Sequence, residues 1–236
     1  MKTTLMAAGF ALLSAPAFAA SITVSDFNAG AYDAIVSGYG NTVTEDFEGF
    51  LEGNVANGFA TSVGTFSTLG GTGTGGTVTG ADFDNNGSLL AVRDGNVYGR
   101  RSTTSALSGD KSDNMFLDSN DTYGISWMVS LGGSMFDSIA LTISDAAEFS
   151  MLQVVVGEES ITLSNFGGSS QKIVEINFDS AVSVASVFFG HSNSNGLRTN
   201  DGFSLDDIAV SEVPLPASAL LLLGGLAGLS RFRKKG

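Results

Sequence analysis

An all-β fold of two packed antiparallel sheets is the architecture this sequence predicts, and three observations carry the prediction. Short apolar or alternating runs recur through the middle of the chain, glycine, asparagine and aspartate separate them, and no stretch sustains a helical period. Hydrophobic residues make up 43% and charged residues only 15%, which builds a core and is unlike a disordered chain. The 236 residues leave room for one domain of ordinary size once the terminal segments are set aside. With no cysteine, the fold has neither disulfides nor thiolate metal sites, and packing must hold it, with bound ions as the available supplement.

Taken in chain order, the first element lies outside that body. Lys2 supplies a positive charge, Leu5 to Leu13 form a short apolar run, and Ala17-Phe18-Ala19 places small residues where a signal peptidase cuts. Residues 1–19 therefore read as a secretory signal peptide, with cleavage expected between Ala19 and Ala20. The apolar run is too short to cross about 30 Å of hydrocarbon as a retained anchor.

The body is expected over residues 20–211. Candidate strands are Val43 to Phe47, Leu89 to Val92, Tyr123 to Leu131, Ser138 to Ile143, Ser150 to Val156, Ser160 to Phe166, Lys172 to Phe178, Val182 to Phe189 and Phe203 to Val210. In Lys172 to Phe178 the residues Val174, Ile176 and Phe178 share one face and Glu175 and Asn177 the other, the pattern of a strand with one wet side. So many short strands in one domain predict a jelly-roll type β-sandwich, with closing strands brought beside opening ones. The Gly/Thr-rich stretch from Gly64 to Gly80 reads as a long surface loop or a strand pair with loose ends. Tyr123, Ile125 and Trp127 share a strand face and are assigned to the core, ahead of a sugar-stacking role.

Two acidic segments are candidates for metal chemistry. Asp82, Asp84 and Asn86, followed by Gly87, match the opening of a calcium loop, with oxygen ligands at alternate positions and a glycine for the turn. Arg93 stands where that template needs its closing glutamate, so an Asp/Asn-rich turn that requires no metal is the reading set beside calcium. The second candidate joins the two ends of the body, Glu45-Asp46-Phe47-Glu48 and Asp201-Gly202-Phe203-Ser204-Leu205-Asp206-Asp207. In an extended chain Asp46 and Glu48 share a face, and the phase change from Phe203 and Leu205 to Ile208 and Val210 predicts a bulge near Asp206 and Asp207. These segments resemble the opening and closing strands of jelly-roll carbohydrate-binding-like domains. That resemblance implies neighbouring first and last strands and a structural calcium shared by Asp46, Glu48, Asp206 and Asp207. No other cofactor is implied.

Catalytic signatures are missing from the sequence. Paired carboxylates could serve glycoside chemistry only at a set separation in a cleft, and solvated surface acids are the plainer reading. His191, the single histidine, lies in the Ser/Asn/Gly segment from Gly190 to Asn200 with no nucleophile elbow, metalloprotease helix or phosphate-cradling motif beside it. It reads as a loop residue, and the chain as non-enzymatic.

The last 25 residues, 212–236, form a separate unit. Val213-Pro214-Leu215-Pro216-Ala217 is followed by an apolar run to Leu229 and by Arg231, Arg233, Lys234 and Lys235. The apolar run is expected to be a short hydrophobic helix with its basic end on the cytoplasmic side, which places the body outside, in agreement with the signal peptide. It is shorter than the ~20 residues of a comfortable span, which fits a transient inner-membrane insertion. Motif, apolar run and basic end together resemble the VPLPA variant of the PEP-CTERM sorting signals. The resemblance implies an exosortase-type membrane protease as partner, processing near Pro214 to Ala217, and a Gram-negative host that makes extracellular polysaccharide.

Without its ends the body is strongly acidic. One of the 11 Lys and Arg leaves with the signal peptide and four leave with the tail, while Glu212 is the one acid removed; 6 basic residues face 23 acidic ones, a net charge of −17. Such a surface repels nucleic acid and anionic lipid. The expected function is that of an exported, non-enzymatic cell-surface or extracellular-matrix protein; the alternative is a calcium-assisted carbohydrate-binding module of the extracellular polysaccharide layer.

Overall fold

The computed structural model describes residues 19–70, 76–77, 89–97, 99–102, 114–120, 122–144, 151–163, 170–192, 199–200 and 202–213. These residues are mostly β, and every pairing between named strands is antiparallel. The larger sheet runs β1 (Ala20–Asp26), β15 (Gln171–Val182), β12 (Met135–Ser144), β18 (Ser204–Val213), β10 (Met115–Asp118), β7 (Ala91–Asp94) and β3 (Gly53–Asn54), with β2 (Asn41–Glu45) also paired to β18. The smaller sheet runs β14 (Glu159–Leu163), β13 (Met151–Val156), β16 (Val184–Ser192), β11 (Gly124–Ser130), β5 (Gly64–Thr68) and β4 (Phe59–Thr61). Two short pairs, β8 (Asn96–Val97) with β9 (Arg100–Arg101) and β6 (Gly76–Thr77) with β17 (Thr199–Asn200), stand apart from both.

Alternation along the strands builds the core between the two sheets. On β11, Ile125, Trp127 and Val129 are fully buried while Met128 is exposed. They join Leu141 of β12, Val174 and Ile176 of β15, Val210 of β18 and Phe189 of β16 in one apolar cluster. Trp127 stacks on Phe66 of β5 with ring centroids 5.3 Å apart, and its indole N–H donates to the Val63 carbonyl at 3.2 Å. The polar tip of the largest core residue is thereby satisfied.

Each of the nine expected strands coincides with an observed one, but several details differ. Gly64–Thr68, expected at the start of a surface loop or loose strand pair, is an interior strand of the smaller sheet, because buried Phe66 gives it an anchor that its glycines lack. His191 falls within β16, paired with Leu152, so the Ser/Asn/Gly segment starts later than expected. Strand β2 stops at Glu45, two residues before the expected end, because Phe47 adopts a left-handed backbone with φ of 61°. β18 continues through Glu212 and Val213, past the expected body limit at Ser211.

The helix α1 (Ala29–Gly38) was not expected at all. Its first turn is capped by the Asn28 side chain, which accepts from the Ala31 N–H at 3.1 Å. Tyr32 and Val36, one turn apart, pack on Ala140, Ile173 and Ala209 on the outer face of the larger sheet. The side of β15 expected to be wet is covered there.

Gly124 is a position where only glycine fits. Its φ is +139°, and an added Cβ would lie 1.9 Å from the Phe189 carbonyl oxygen across the β11–β16 ladder. Gly124→Ala is expected to cost about 3 kcal/mol or more, from strain and overpacking together. Gly38→Ala, with nothing within 4 Å of its Cβ, should leave stability unchanged or raise it by up to about 1 kcal/mol. Urea unfolding of the two variants checks this, and equal midpoints would contradict it.

Candidate functional site

The densest collection of buried polar groups lies on the outer face of the larger sheet, where four strands place their side chains in one row. The register sets Asp118 opposite Ser204, Ser204 opposite Ser144, and Ser144 opposite Gln171. Asp118, Ser144 and Ser204 are buried. A second extended segment, β9 and Ser102, lies across this row. The Ser144 hydroxyl accepts from the Arg101 N–H at 2.9 Å, the hydroxyls of Ser144 and Ser204 each donate to the Arg101 carbonyl at 3.0 Å, and the Gln171 amide donates to the Ser102 carbonyl at 3.2 Å. The row thus does for β9 what a neighbouring strand would do in a ladder: it occupies backbone groups that would otherwise be stranded away from water.

Asp118 carries the charge of the row. Its carboxylate accepts from the Asn120 N–H at 2.7 Å and sits 3.4 Å from the Arg100 guanidinium and 3.8 Å from that of Arg93. Arg93 is further fixed by donating to the Asn120 side chain at 3.0 Å, and Asn120 donates in turn to the Leu89 carbonyl at 2.8 Å. A fully buried carboxylate costs several kcal/mol unless paired, and two guanidiniums with a backbone N–H meet that requirement.

Next to this row the expected bulge is present. Asp206 lies opposite Thr142 but Ala209 lies opposite Ala140, so two residues of β18 face Leu141, and Asp207 has φ of +46°. The Thr142 hydroxyl donates to the Asp206 carbonyl at 3.0 Å, and the Tyr32 hydroxyl of α1 donates to the Asp207 carbonyl. Burial first, and then the Asp207 and Asp206 carboxylates, push the Tyr32 hydroxyl far above the ordinary tyrosine range. Tyr39 is raised too, again by burial first and then by Glu175 and Asp137.

The acidic residues named from the sequence are brought close in the fold but are differently engaged. β2 and β18 are neighbours, with Glu45 opposite Ile208. Glu45 accepts from the Phe47 N–H at 3.0 Å and from the Ser62 N–H and hydroxyl at 3.0 and 2.9 Å. Asp46 accepts from the Glu48 N–H at 3.2 Å, and Glu48 accepts from the Asn114 and Met115 N–H groups at 2.8 and 2.6 Å. Glu48 thus ties the turn after β2 to the start of β10, rather than sharing a strand face with Asp46. Among the described residues no group of three or more His, Cys, Asp or Glu is arranged to hold a metal ion. Asp82, Asp84 and Asn86, Ala17, Pro214 to Ala217, and Arg231 to Lys235 lie outside the described residues. Tyr123, Ile125 and Trp127 are core, as assigned.

Asp118, Arg93, Arg100 and the Ser144–Ser204 pair were not identified from the sequence. One signal was there: three of the body's six basic residues, Arg93, Arg100 and Arg101, fall within nine positions. What the arrangement does chemically is hold, since Glu45, Asp46, Glu48 and Asp118 each face backbone N–H groups, a hydroxyl or a guanidinium. No protein-family model matches the chain, and no curated protein matches it.

Removing one member of the buried ion pair leaves the other charge uncompensated. Asp118→Ala should therefore lower stability by about 3–5 kcal/mol in urea unfolding, and a loss under 1 kcal/mol would show that the guanidiniums do not depend on it. Tyr32 gives a pH test. Its folded-state value lies above the unfolded one, so its contribution is complete below about pH 10 and is lost as pH rises, because the unfolded chain releases a proton that the folded chain keeps. Tyr32→Phe should cost about 1 kcal/mol at neutral pH and make the alkaline decline shallower by about 1.4 kcal/mol per pH unit. An unchanged alkaline slope would reject the assignment.

Proposed function

We propose that this chain is an exported, non-enzymatic protein of the cell surface or extracellular matrix, delivered by an N-terminal signal peptide and a C-terminal VPLPA-type sorting tail. The observation that supports it is how the first and last described strands sit against the two expected cuts. β1 starts at Ala20, the first residue after the expected signal cleavage, and β18 ends at Val213, the first residue of the sorting motif. Among the described residues no helix is long and apolar enough to cross a membrane; the C-terminal apolar run lies outside them. Three residues, 214–216, separate β18 from that run, a reach of about 10 Å at most. On this reading the tail holds the body close against the membrane until an exosortase-type protease cuts it.

We read the two sheets as a sandwich of jelly-roll type, supported by the pairing of the early strand β2 with the final strand β18. The structural role is preferred to calcium-assisted carbohydrate binding because Asp46 and Glu48 already accept hydrogen bonds from backbone donors. These bonds give both carboxylates a use in holding loops.

Terminal-peptide mass spectrometry on protein recovered separately from native membranes and from medium or matrix tests the delivery route. The expected species begins at Ala20 and ends between Val213 and Ala217. A chain that keeps Arg231 to Lys235 and is found only in membranes would sink the sorting assignment.

A further inference from the structure

Among the described residues, the outward positions on the strands of the smaller sheet, its outer face, carry no charged side chain. On β16 and β11 its outward residues are Val184, Ser186, Phe188 and Ser126, Met128, Ser130, and on β14, β13, β5 and β4 the described outward positions are likewise Ser, Thr, Gln, Val and Ala. Phe188 lies opposite Ser126, Met128 opposite Ser186 and Val184 opposite Ser130, so Phe188, Met128 and Val184 form a triangular apolar patch around Ser186. They are 38%, 54% and 46% exposed. The outer face of the larger sheet, by contrast, is occupied by α1 and by the β8–β9 pair.

We propose that this face is a self-association surface, its partner a second copy of the same chain. Charge selects the partner. A body of net charge −17 repels its own copies wherever acidic side chains meet, and the uncharged sheet is the face on which two copies approach without placing like charges in contact. Size is consistent with a weak dimer. Six strands about 4.8 Å apart and a seven-residue strand rising about 3.3 Å per residue give a face near 550 Å² in projection, toward the lower end of interfaces that average about 800 Å² per partner. The geometry is isologous: the apolar patch of one copy lies on that of the other, with Ser186 near its middle and Ser126 and Ser130 beside it. Net repulsion opposes the contact from a distance, so added salt strengthens it.

The chain contains no cysteine, which allows a direct test on the full-length protein. Ser186→Cys, at the middle of the face, should give a disulfide-linked dimer under mild oxidation, whereas Ser25→Cys on the exposed edge strand β1 should not. Phe188→Glu and Met128→Glu, at exposed positions, should keep the far-ultraviolet circular dichroism and thermal midpoint while returning the sedimentation-equilibrium mass to that of the monomer. The dimer fraction of the unmodified chain should rise with salt. A monomer at all micromolar concentrations, or equal cross-linking from Ser25→Cys, would overturn the proposal. So would a monomer retained on a neutral polysaccharide column through Phe188, which would assign the face to glycan.

Discussion

Strand β18 must bury both of its faces while carrying two adjacent aspartates, and much of the molecule follows from how that is met. Eight consecutive residues, Ser204 to Ser211, are buried. In a regular strand the apolar set Phe203 and Leu205 would leave Ile208 and Val210 on the opposite side. The extra residue at Asp206–Asp207 shifts the phase, so that all four side chains reach the same core. The bulge also divides the far edge of the strand. Its first two residues pair with β10, and Ile208 to Glu212, beyond the bulge, pair with β2. Backbone carbonyls displaced by the bulge are then occupied by hydroxyls, Thr142 on Asp206 and Tyr32 on Asp207.

The same solution makes the two outer faces unequal. Once Ser204, Asp118 and Ser144 point outward from buried strands, the larger sheet needs a polar cover, and β9 supplies it with backbone groups and the Arg100 guanidinium. Helix α1 covers the part around Ala140, Ile173 and Ala209 with an apolar stripe and one phenol. The smaller sheet makes no such demand: Ser126, Ser130 and Ser186 are at least partly open to solvent. Nothing buried and polar on that side requires a neighbour, which is why its outer face stays bare among the described elements.

Strands carried by strict alternation were legible in the sequence, and the reason is visible in β11 and β15, where every second residue enters the core. The bulge in β18 was legible for the same reason, since a break in alternation is itself a pattern. Helix α1 was harder to see. Its inward residues Tyr32, Ile35, Val36 and Tyr39 do have helical spacing, but ten residues with two glycines and β-branched side chains carry little intrinsic preference, and the helix is held by packing on Ala140, Ile173 and Ala209. The polar row could not be read at all. Asp118, Ser144, Gln171 and Ser204 are spread over 87 positions, and only the register of four strands aligns them.

Strand pairing at the two ends constrains the order in which the proposed processing and folding occur. Ala20 pairs with Phe178 and the Ala19 carbonyl accepts from the Asp179 N–H at 3.1 Å, so the Ala19–Ala20 bond lies inside an edge ladder once β1 has docked. A protease needs that bond free and extended, and docked β1 would withhold it. On the proposed route, signal removal would therefore precede the docking of β1, which depends on β15 being in place some 150 residues later in the chain. The C-terminal end imposes no such order. Val213, the first residue of the motif, pairs with Met135 at the last rung of β18, and Pro214 follows it. Proline at positions 214 and 216 has no N–H to give a ladder, so on the proposed route the C-terminal cut does not require the sheet to open. The proposed cuts thus differ in what they ask of folding: the first comes before β1 docks, and the second is compatible with a closed sheet.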